Sequence, residues 1–409
     1  MDTNKILDEL YSYSMFGIKL GLENIERMCE ALGNPQDKYR VIHIAGTNGK
    51  GSTATTIEAG LIEAGYRVGK FTSPHIIRFN ERIQFGGNEI EDQEICSYYL
   101  KVKEVVEEKR IKATFFEMTT AMMFLYFADK KAEFVVLETG MGGRYDATNV
   151  VNSEIAVITN VSLDHVGFLG DNIYDISKEK AGIIKKKCIV VVGDDNLDFI
   201  KAIRNETENF VNIKSKYKNI EYTLDKENFL TEINIENKKY SFSLFGEYQV
   251  GNFLCAYETL KILGIESEVI QRAAAKVRWP GRFEVYSKTP LVILDGAHNA
   301  DAAEKLRENL NLSFSPEEVV AVVSVLDDKD IPNIMREIRG FSDTIILTSL
   351  EMFKRGLKGE ELSVYTDSFK LSLIENDIKE AYKKAFFMDK KVIVICGSFY
   401  LLSRFKQEA

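Results

Sequence analysis

At 409 residues the chain is longer than one ordinary domain, and a composition of 45% hydrophobic and 28% charged residues supports a large core and excludes global disorder. The net charge of −9 argues against a general nucleic-acid-binding protein. Apolar runs stay well short of the roughly 18 residues of a membrane helix, and the N-terminus lacks the character of a signal peptide, so we expect a cytoplasmic protein that binds no membrane. Five scattered cysteines fit buried thiols in a reducing compartment.

The first strong signal along the chain is an apolar strand that runs into a glycine-rich loop. Two helices are predicted within residues 4–33, a strand at 41–45, and a helix after the motif Gly-Thr-Asn-Gly-Lys-Gly-Ser at 46–52. A helix N-terminus carries partial positive charge and Lys50 adds a full one, so we predict a phosphate-binding loop in which Ser52 offers a hydroxyl to Mg²⁺. The alternative is a glycine-rich turn with an incidental lysine, because a glycine separates Lys50 from Ser52.

Strands and helices continue to alternate after this loop. The predicted elements are strands at 67–71, 134–137 and 155–159 and helices at 91–110 and 114–129. Residues 72–83 mix polar and apolar side chains without periodicity, which is typical of a functional loop leading into a short strand. The alternation indicates an α/β fold with a mainly parallel, P-loop-type sheet and helices on both faces.

The pattern changes at residue 188 and again near residue 280. Short alternating segments between 188 and 245 predict a small, partly antiparallel sheet, and helices follow at 249–263 and 267–276. Trp-Pro-Gly at 279–281 breaks the helical pattern, so we predict a first domain at 1–280, which contains the phosphate loop, and a second domain at 285–409. The second domain is predicted as a smaller, Rossmann-like α/β unit with strands at 291–294, 319–323, 344–347 and 391–395 and helices at 299–309, 331–338 and 378–387.

Polar side chains follow several predicted strands, at the edge where open parallel sheets bind ligands. Ser52, Glu138 and His165 are placed to surround a divalent cation; a carboxylate suits Mg²⁺ and an imidazole suits Mn²⁺. The alternatives are a strand-end acid for Glu138 and a helix cap or surface residue for His165. Lys180 lies in a helical stretch, and from the residues alone we interpret it as a solvated side chain.

In the second half of the chain, Asn252, Arg282, Asp295 and His298 are polar groups in apolar or turn-forming surroundings. Asp295 and His298 follow a strand and would face the first sheet if the two sheets oppose each other across a cleft. Arg282 would neutralise phosphate charge when that cleft is closed. An N-cap role for Asp295 and a surface position for Arg282 are the alternatives.

These motifs, in this order, resemble folylpolyglutamate synthase and dihydrofolate synthase of the muramyl-ligase superfamily. The resemblance extends from residue 39 to about residue 402, and the joint presence of the motifs is far more specific than any one of them. The further matching motifs are Phe-Thr-Ser-Pro-His at 71–75, Phe-Asn-Glu-Arg-Ile at 79–83, Glu-Thr-Gly at 138–140, Gly-Gly-Arg at 142–144, Asp-Ala-Thr-Asn at 146–149, Asp-His at 164–165, Glu-Lys-Ala-Gly-Ile at 179–183, Pro-Gly-Arg at 280–282 and Leu-Asp-Gly-Ala-His-Asn at 294–299.

The resemblance implies an ATP-dependent amide ligase of folate biosynthesis and one-carbon metabolism. Such an enzyme adds L-glutamate to a pterin-containing, folate-type acceptor through an acyl phosphate and releases ADP and phosphate. The resemblance leaves open which reaction is catalysed: tetrahydrofolate polyglutamylation, conversion of dihydropteroate to dihydrofolate, or both. The resemblance also implies Mg²⁺ at up to two sites and a monomer. A muramyl-type amino-acid ligase and a non-catalytic nucleotide-binding module are the alternatives, although the muramyl ligases need a UDP-binding domain before the first strand.

The same resemblance assigns nucleotide, metal and catalytic roles by motif. Ser52 and Glu138 would bind Mg²⁺, and Ser73 and His165 would serve a second metal site. Catalytic roles fall to Lys50, His165, Lys180 and His298, and in relatives the lysine equivalent to Lys180 is carbamylated, which converts a cation into an anion near the metal. ATP would be bound by Asn48, Gly49, Lys50, Gly51, Ser52, Asn252, Arg282, Asp295 and His298.

For the acceptor, the resemblance points to the loop after residue 72 and to the start of the helix at 114. Phe116 would stack on a pterin and Glu117 would accept hydrogen bonds from it, whereas a core aromatic is the alternative for Phe115. Tyr145 stands where the family has leucine. The predicted acceptor residues are Ser73, His75, Arg82, Thr114, Phe115, Phe116, Glu117 and Tyr145.

Overall fold

The structure is a computed structural model that describes residues 3–13, 21–163, 166–353 and 355–408. In these ranges the strands are β1 Arg40–Ala45, β2 Val68–Phe71, β3 Ile83–Phe85, β4 Asn88–Glu89, β5 Phe134–Glu138, β6 Ile155–Ile158, β7 Ile189–Val192, β8 Val211–Asn212, β9 Glu221–Asp225, β10 Leu230–Ile235, β11 Lys238–Phe242, β12 Glu284–Lys288, β13 Leu291–Asp295, β14 Val319–Val323, β15 Thr344–Leu347, β16 Leu371–Ile374 and β17 Val392–Cys396. The helices are α1 Thr3–Ser12, α2 Glu23–Ala31, α3 Lys50–Glu63, α4 Asp92–Glu108, α5 Phe115–Asp129, α6 Val166–Leu169, α7 Ile173–Ala181, α8 Leu197–Glu206, α9 Ile213–Lys216, α10 Glu247–Ile262, α11 Ser267–Ala274, α12 Ala300–Asn311, α13 Ile331–Arg339, α14 Gly359–Leu362, α15 Ile378–Phe386 and α16 Phe399–Glu408.

The first sheet has the strand order β4-β3-β2-β5-β1-β6-β7-β8 and is parallel from β2 to β8. Strand β1 lies between β5 and β6. The chain continues from β1 to β2 on one side of it and later crosses from β5 to β6 on the other side, so the carboxyl end of β1 lies at a switch point. Strands β5 and β6 are buried along their whole lengths, as expected for a sheet covered on both faces. The predicted mainly parallel sheet is therefore confirmed.

One boundary in the prediction is wrong. Strands β7 and β8 pair in parallel with the first sheet, although the sequence pattern placed them in the segment from 188 to 245 that was predicted to be partly antiparallel. The apolar run at β7 is short and is followed by many Asn, Lys and Glu residues, so its sequence alone does not identify its neighbour.

Helices cover both faces of the first sheet. Helices α1, α2, α4 and α5 pack on one face, and α3, α10 and α11 pack on the other. Helix α5 approaches β2 so closely that a Cβ atom at Gly69 would lie 2.6 Å from the Phe127 ring. The predicted burial of the apolar helix at 114–129 against the sheet is confirmed.

Two smaller sheets follow. Strands β9, β10 and β11 form an antiparallel sheet whose Tyr240 and Phe242 pack against Phe253 of α10. The last sheet has the order β12-β13-β17-β14-β15-β16, and only β12 is antiparallel to its neighbour. It confirms a second α/β unit, but β12, β16 and α16 were not predicted. No helix in the described ranges is long and apolar enough to cross a membrane.

Candidate active site

The phosphate-binding loop predicted at 46–52 connects the central strand β1 to α3. Its backbone is held to the end of β6: Asn48 N–H donates to Asn160 Oδ1 at 2.8 Å, and the Thr159 hydroxyl donates to the Asn48 carbonyl at 2.7 Å. Helix α3 begins at Lys50, with Gly49 as its N-cap. The first N–H groups of α3 have no partner within the helix and are available to an anion.

Two glycines of this loop are required by close contacts. Gly49 has a φ of +80°, and a Cβ atom there would lie 2.0 Å from Asn252 Oδ1. A Cβ atom at Gly51 would lie 2.2 Å from the Trp279 ring. The extra glycine between Lys50 and Ser52 therefore makes room for an aromatic ring from the segment that precedes β12.

Lys50 and Glu138 approach each other at the carboxyl ends of β1 and β5. Lys50 Nζ donates to the carbonyls of Gly46 and Thr47 and lies 4.0 Å from Glu138 Oε1. Glu138 Oε2 accepts the Ser73 N–H at 3.1 Å. Burial raises the pKa of Glu138, and Lys50, the Ser73 N–H and two arginines act in the opposite direction. The Glu138 carboxylate thus lies in a buried position next to positively charged groups.

The donors near this point suit a hard cation. Ser52 is 3% exposed and offers a hydroxyl, and Glu138 offers a buried carboxylate. No cluster of three His, Cys, Asp or Glu side chains that could hold a metal occurs among the described residues. Such a sparse oxygen set fits Mg²⁺, which takes most of its ligands from phosphates and water. The third predicted ligand, His165, lies outside the described residues.

A cavity of about 430 Å³ lies over the phosphate loop. Residues far apart in the sequence line it, and they include Asn48, Gly49, Ser52, Asn252, Arg282 and Asp295. A second cavity of about 200 Å³ is lined by Gly51, Ser73, Glu138, Trp279, Arg282 and Phe399. Arg282 lines both cavities, and its guanidinium carbon lies 4.7 Å from the centre of the Phe399 ring.

Asp295 is held rigidly behind the larger cavity. Its Oδ2 accepts the Phe283 N–H at 2.7 Å and its Oδ1 accepts the Ala297 N–H at 2.8 Å. Burial raises the pKa of Asp295 to about 6, although Arg282 and the two N–H groups lower it. The N-cap alternative is wrong for α12, because Asn299 caps that helix by accepting from the Ala302 N–H.

His298 lies beside the two cavities without lining either of them. Its Nδ1 is 2.8 Å from the Gly296 carbonyl, and its ring centre is 5.7 Å from that of Phe399. The sequence analysis also missed residues that line the larger cavity, among them Asp301 and Lys305 in the first turns of α12. Asn48 Nδ2 donates to Asp301 Oδ2 at 2.5 Å, so α12 contacts the phosphate loop directly. Their positions one turn apart, just after the Asp-Gly-Ala-His-Asn motif, were an available signal.

The residues predicted to bind the acceptor divide into two groups. Thr114 and Glu117 form a capping box for α5: the Thr114 N–H donates to Glu117 Oε2 at 2.7 Å, and the Glu117 N–H donates to Thr114 Oγ1. Phe116 packs against Gly140, and Phe115 stacks on Tyr11 with ring centres 5.4 Å apart. Both phenylalanines are only half-buried.

The second group comes from the loop after β2. Arg82 Nε donates to His75 Nδ1 at 2.7 Å, and its guanidinium carbon lies 5.3 Å from the centre of the Phe115 ring. Burial and the adjacent Arg82 lower the pKa of His75 to about 3, so the imidazole is neutral and accepts this bond. Tyr145 is 46% exposed.

Lys180 is 3% exposed, so its interpretation from the residues alone as a solvated side chain is wrong. It lies next to the last residue of α7, and this end of the helix is fastened to the loop after β5. The Arg144 N–H donates to the Glu179 carbonyl at 2.8 Å, and Gly143 packs against the carbonyls of Glu179 and Lys180. The end of α7 that carries Lys180 is therefore packed against the loop that follows β5.

Comparison with known proteins agrees with this geometry. The family model described as Mur ligase middle domain matches residues 44–260, and the model described as Mur ligase, glutamate ligase domain matches residues 281–399. The dihydrofolate synthase/folylpolyglutamate synthase of Bacillus subtilis is 36% identical over 410 residues, which cover 95% of this chain and 94% of that protein.

Two solved structures share the whole fold. Escherichia coli FolC in complex with DHPP and ADP has a TM-score of 0.87 at 27% identity and covers 98% of this chain and 97% of its own. The bifunctional folylpolyglutamate synthase/dihydrofolate synthase of Yersinia pestis, complexed with AMPPNP and a Mn ion, has a TM-score of 0.87 at 29% identity and covers 100% of this chain and 98% of its own.

A phosphate loop at the switch point of one parallel sheet, closed over by a second α/β sheet, is the arrangement of an ATP-dependent ligase of the Mur type, and both family models match in that order. The identity to the Bacillus subtilis protein over nearly the full length narrows the class further. The chain belongs to the dihydrofolate synthase/folylpolyglutamate synthase family. The family resemblance predicted from the motifs is confirmed.

Proposed function

We propose that this chain uses ATP and a divalent cation to join L-glutamate to a carboxylate of a folate-type acceptor. The observation that carries the proposal is the position of Arg282, which lines both the cavity next to Ser52 and the cavity next to Glu138. A guanidinium between two cavities is placed to neutralise oxygens of a phosphoryl group that moves from one to the other. We therefore assign the nucleotide to the larger cavity and the reacting carboxylate to the smaller one.

The proposed reaction has two steps. A carboxylate oxygen of the acceptor attacks the γ-phosphorus of ATP, the bond to the β,γ-bridging oxygen breaks, and ADP and an acyl phosphate result. The amino nitrogen of glutamate then attacks the acyl carbon, the nitrogen loses a proton, and phosphate leaves from the tetrahedral intermediate. Charge accumulates on oxygen atoms in both steps, so the chain supplies cations and N–H donors, from Lys50, Arg282 and residues 48–52.

The nucleotide contacts proposed for α10 and for the second α/β unit follow from the same arrangement. Asn252 and Asp295 line the larger cavity opposite the phosphate loop. Asp295 lies one residue before Gly296, and the Gly296 carbonyl is within hydrogen-bonding distance of His298. We assign His298 a catalytic role near the transferred phosphate, as in the family motif.

Ser52 and Glu138 are the residues that would hold Mg²⁺ with the phosphates of ATP, and Ser73 and His165 would hold a second cation. The cation supplies charge neutralisation at the transferred phosphoryl group when it is bound. Support comes from donor chemistry, since Ser52 and Glu138 both offer buried oxygen ligands and Glu138 lies 4.0 Å from Lys50 Nζ.

The acceptor is proposed to bind between the loop after β2 and the start of α5. Arg82 is 8% exposed, and the neutral His75 that it contacts does not balance its charge. A carboxylate of the acceptor would do so. Phe116 offers a half-buried ring for a pterin, while Glu117 Oε2 already accepts from Thr114 N–H and Asn24. The full proposed set is Ser73, His75, Arg82, Thr114, Phe115, Phe116, Glu117 and Tyr145.

We further propose that Lys180 is carbamylated. Reaction of its amine with CO₂, with loss of a proton, would convert a buried cation into a carbamate anion at the end of α7, which packs against the loop that follows β5. The prediction is that Lys180→Ala loses activity and recovers part of it with an added short-chain carboxylate. Full activity of the untreated variant would rule out the role.

We propose two domains, residues 1–280 and 285–409, because the last sheet begins at Glu284 after the break at Trp279. We also propose a monomer and a cytoplasmic location, in line with the scattered cysteines and the sequence features described above.

Comparing two acceptors side by side tests the function. Purified protein with ATP, Mg²⁺ and L-glutamate is given dihydropteroate or tetrahydrofolate, and ADP and the amide product are both measured. We expect glutamate-dependent ADP formation with at least one acceptor, and the pair of rates distinguishes a monofunctional from a bifunctional enzyme. Absence of glutamate-dependent turnover with both acceptors would refute the proposed function.

A further inference from the structure

A buried ion pair lies beneath the phosphate loop, away from the residues assigned above. Lys70 of β2 and Glu58 of α3 are 3% and 4% exposed, and their side chains meet at 2.5 Å. Lys70 Nζ also donates to Thr55 Oγ1 at 3.3 Å, whereas Glu58 Oε1 is buried without a hydrogen-bond partner. Because an apolar pair of similar volume is often at least as stable, stability alone does not account for these two charges.

The ion pair faces the side chain of Trp279. Lys70 Nζ lies 5.6 Å from the centre of the Trp279 ring, within reach of a cation–π interaction. The same ring system also packs on Gly51, where a Cβ atom would be only 2.2 Å away. Contacts thus run from Glu58 through Lys70 and Trp279 to Gly51. They connect the interior of the first sheet with the phosphate loop.

Trp279 also forms one wall of the smaller cavity. The other walls include Ser73, Glu138 and Arg282, the groups around which the acyl phosphate is proposed to form. A large, half-buried indole at this point occupies space that water would otherwise fill.

We infer that Trp279, held over Gly51 by the Lys70–Glu58 ion pair, keeps water away from the acyl phosphate. Lys70 and Glu58 are positioning residues that act through Trp279. This inference rests on the proposed function, because it needs an acyl phosphate in the smaller cavity.

The chemical consequence is a measurable side reaction. If water reaches the acyl phosphate, a water oxygen replaces the glutamate nitrogen, the acyl–phosphate linkage breaks, and the unchanged acceptor carboxylate and inorganic phosphate are released. The net reaction is hydrolysis of ATP to ADP and phosphate without an amide. The ratio of phosphate released to amide formed therefore reports on the Trp279 wall.

The test uses Trp279→Leu and the double variant Glu58→Gln/Lys70→Met, which removes both charges and keeps the volumes. We expect the ratio of phosphate to amide to rise at least about threefold in each, while KM for ATP changes by less than about twofold. Trp279 is the single tryptophan of the chain, so its fluorescence isolates one site. In the double variant, acrylamide quenching of that fluorescence should increase.

Lys276→Met is the matched control. Lys276 pairs with Glu63, which lies on the same helix as Glu58, but the lysine is mostly exposed. This variant should keep the ratio and the quenching of the unaltered protein. If Trp279→Leu does not fold, the double variant alone decides.

Failure of this inference can be distinguished from failure of the proposed function. An unaltered protein that forms no amide would refute the proposed function. An unaltered protein that forms amide, with an unchanged phosphate-to-amide ratio in the variants or unchanged quenching in the double variant, would overturn this inference and leave the function standing. A ratio that also rises in Lys276→Met would overturn it as well, because the effect would then not pass through Trp279.

Discussion

Asp295 shows how much of the site chemistry depends on single buried groups. Its carboxylate is 5% exposed and is held by two backbone N–H groups with Arg282 nearby. Desolvation opposes the charged form, whereas the N–H groups and the guanidinium favour it. Lys180 and Arg82 are ionisable groups under comparable burial. These residues carry a solvation cost that a solvated Asp or Lys does not have, and such costs are commonly found at functional sites.

The pKa of about 6 for Asp295 predicts an acidic limb in the pH profile. The pKa in the unfolded chain is about 3.9, so the folded state takes up a proton first as the pH falls, and the stability due to this group declines as the pH rises from about 4 to about 6. Activity should change in the opposite direction, since the anion accepts both N–H bonds and is favoured by the positive charge of Arg282. We expect kcat/KM to rise through about pH 6, and Asp295→Asn to lower it about tenfold without that limb. An unchanged limb in the variant would contradict the assignment.

At the level of elements, the unit formed by β1, the loop at 46–49 and α3 organises the site. This unit is bound to the end of β6 through Asn48 and is contacted by α10 at Gly49 and by Trp279 at Gly51. Its shape is therefore set by three neighbouring segments, and its glycines are required by neighbours as well as by backbone conformation.

Gly49→Ala tests this point against Gly33→Ala. Both glycines have φ near +80°, but a Cβ atom at Gly33 meets nothing within 4 Å, whereas at Gly49 it meets Asn252 at 2.0 Å. The backbone strain alone costs about 1–2 kcal/mol, and overlap with Asn252 adds about 1–3 kcal/mol. We expect thermal unfolding to show a larger loss for Gly49→Ala, accompanied by weaker ATP binding. Equal losses would show that Asn252 moves aside freely.

At the level of the whole molecule, the site exists only because the two α/β units meet. Asn48 of the phosphate loop donates to Asp301 at the start of α12, and Ser162 Oγ is 3.4 Å from the same carboxylate oxygen. Asn299 Nδ2 reaches Asn48 Oδ1 at 3.4 Å. These contacts link the two α/β units beside the larger cavity, through residues that are 253 positions apart in the sequence. Closure of such a cleft between two units is a common way to complete a catalytic site.

Asp301→Ala should weaken this junction. A hydrogen bond to a charged group contributes about 1.5–3 kcal/mol, so we expect KM for ATP to rise about tenfold with little change in thermal stability. Asp328→Ala, which breaks the ion pair with Arg355 inside the second unit, is the control and should leave KM unaltered. Steady-state kinetics over a range of ATP concentrations provides the comparison. An unchanged KM in Asp301→Ala would show that the contact does not contribute to nucleotide binding.

The local patterns of the sequence identified most elements and the family. The run at 41–45 and the motif at 46–52 predicted β1 and the phosphate loop, because strand burial and anion binding by a helix N-terminus are local properties. The same reasoning located α5, β13 and β17. Strand β16 escaped it because that strand is largely exposed and lacks a clear alternation, and β7 was assigned to the wrong sheet because strand pairing is a long-range property.

The sequence by itself determined the family, the phosphate loop and the identity of most candidate residues, since these depend on residue type and on spacing along the chain. Only the tertiary structure decided that Lys180 is buried, that Asp301 contacts the phosphate loop, and that Trp279 fills the space left by Gly51. Each of these facts depends on which distant segment lies nearby. Burial and contact are set by packing between elements, and no short-range pattern encodes them.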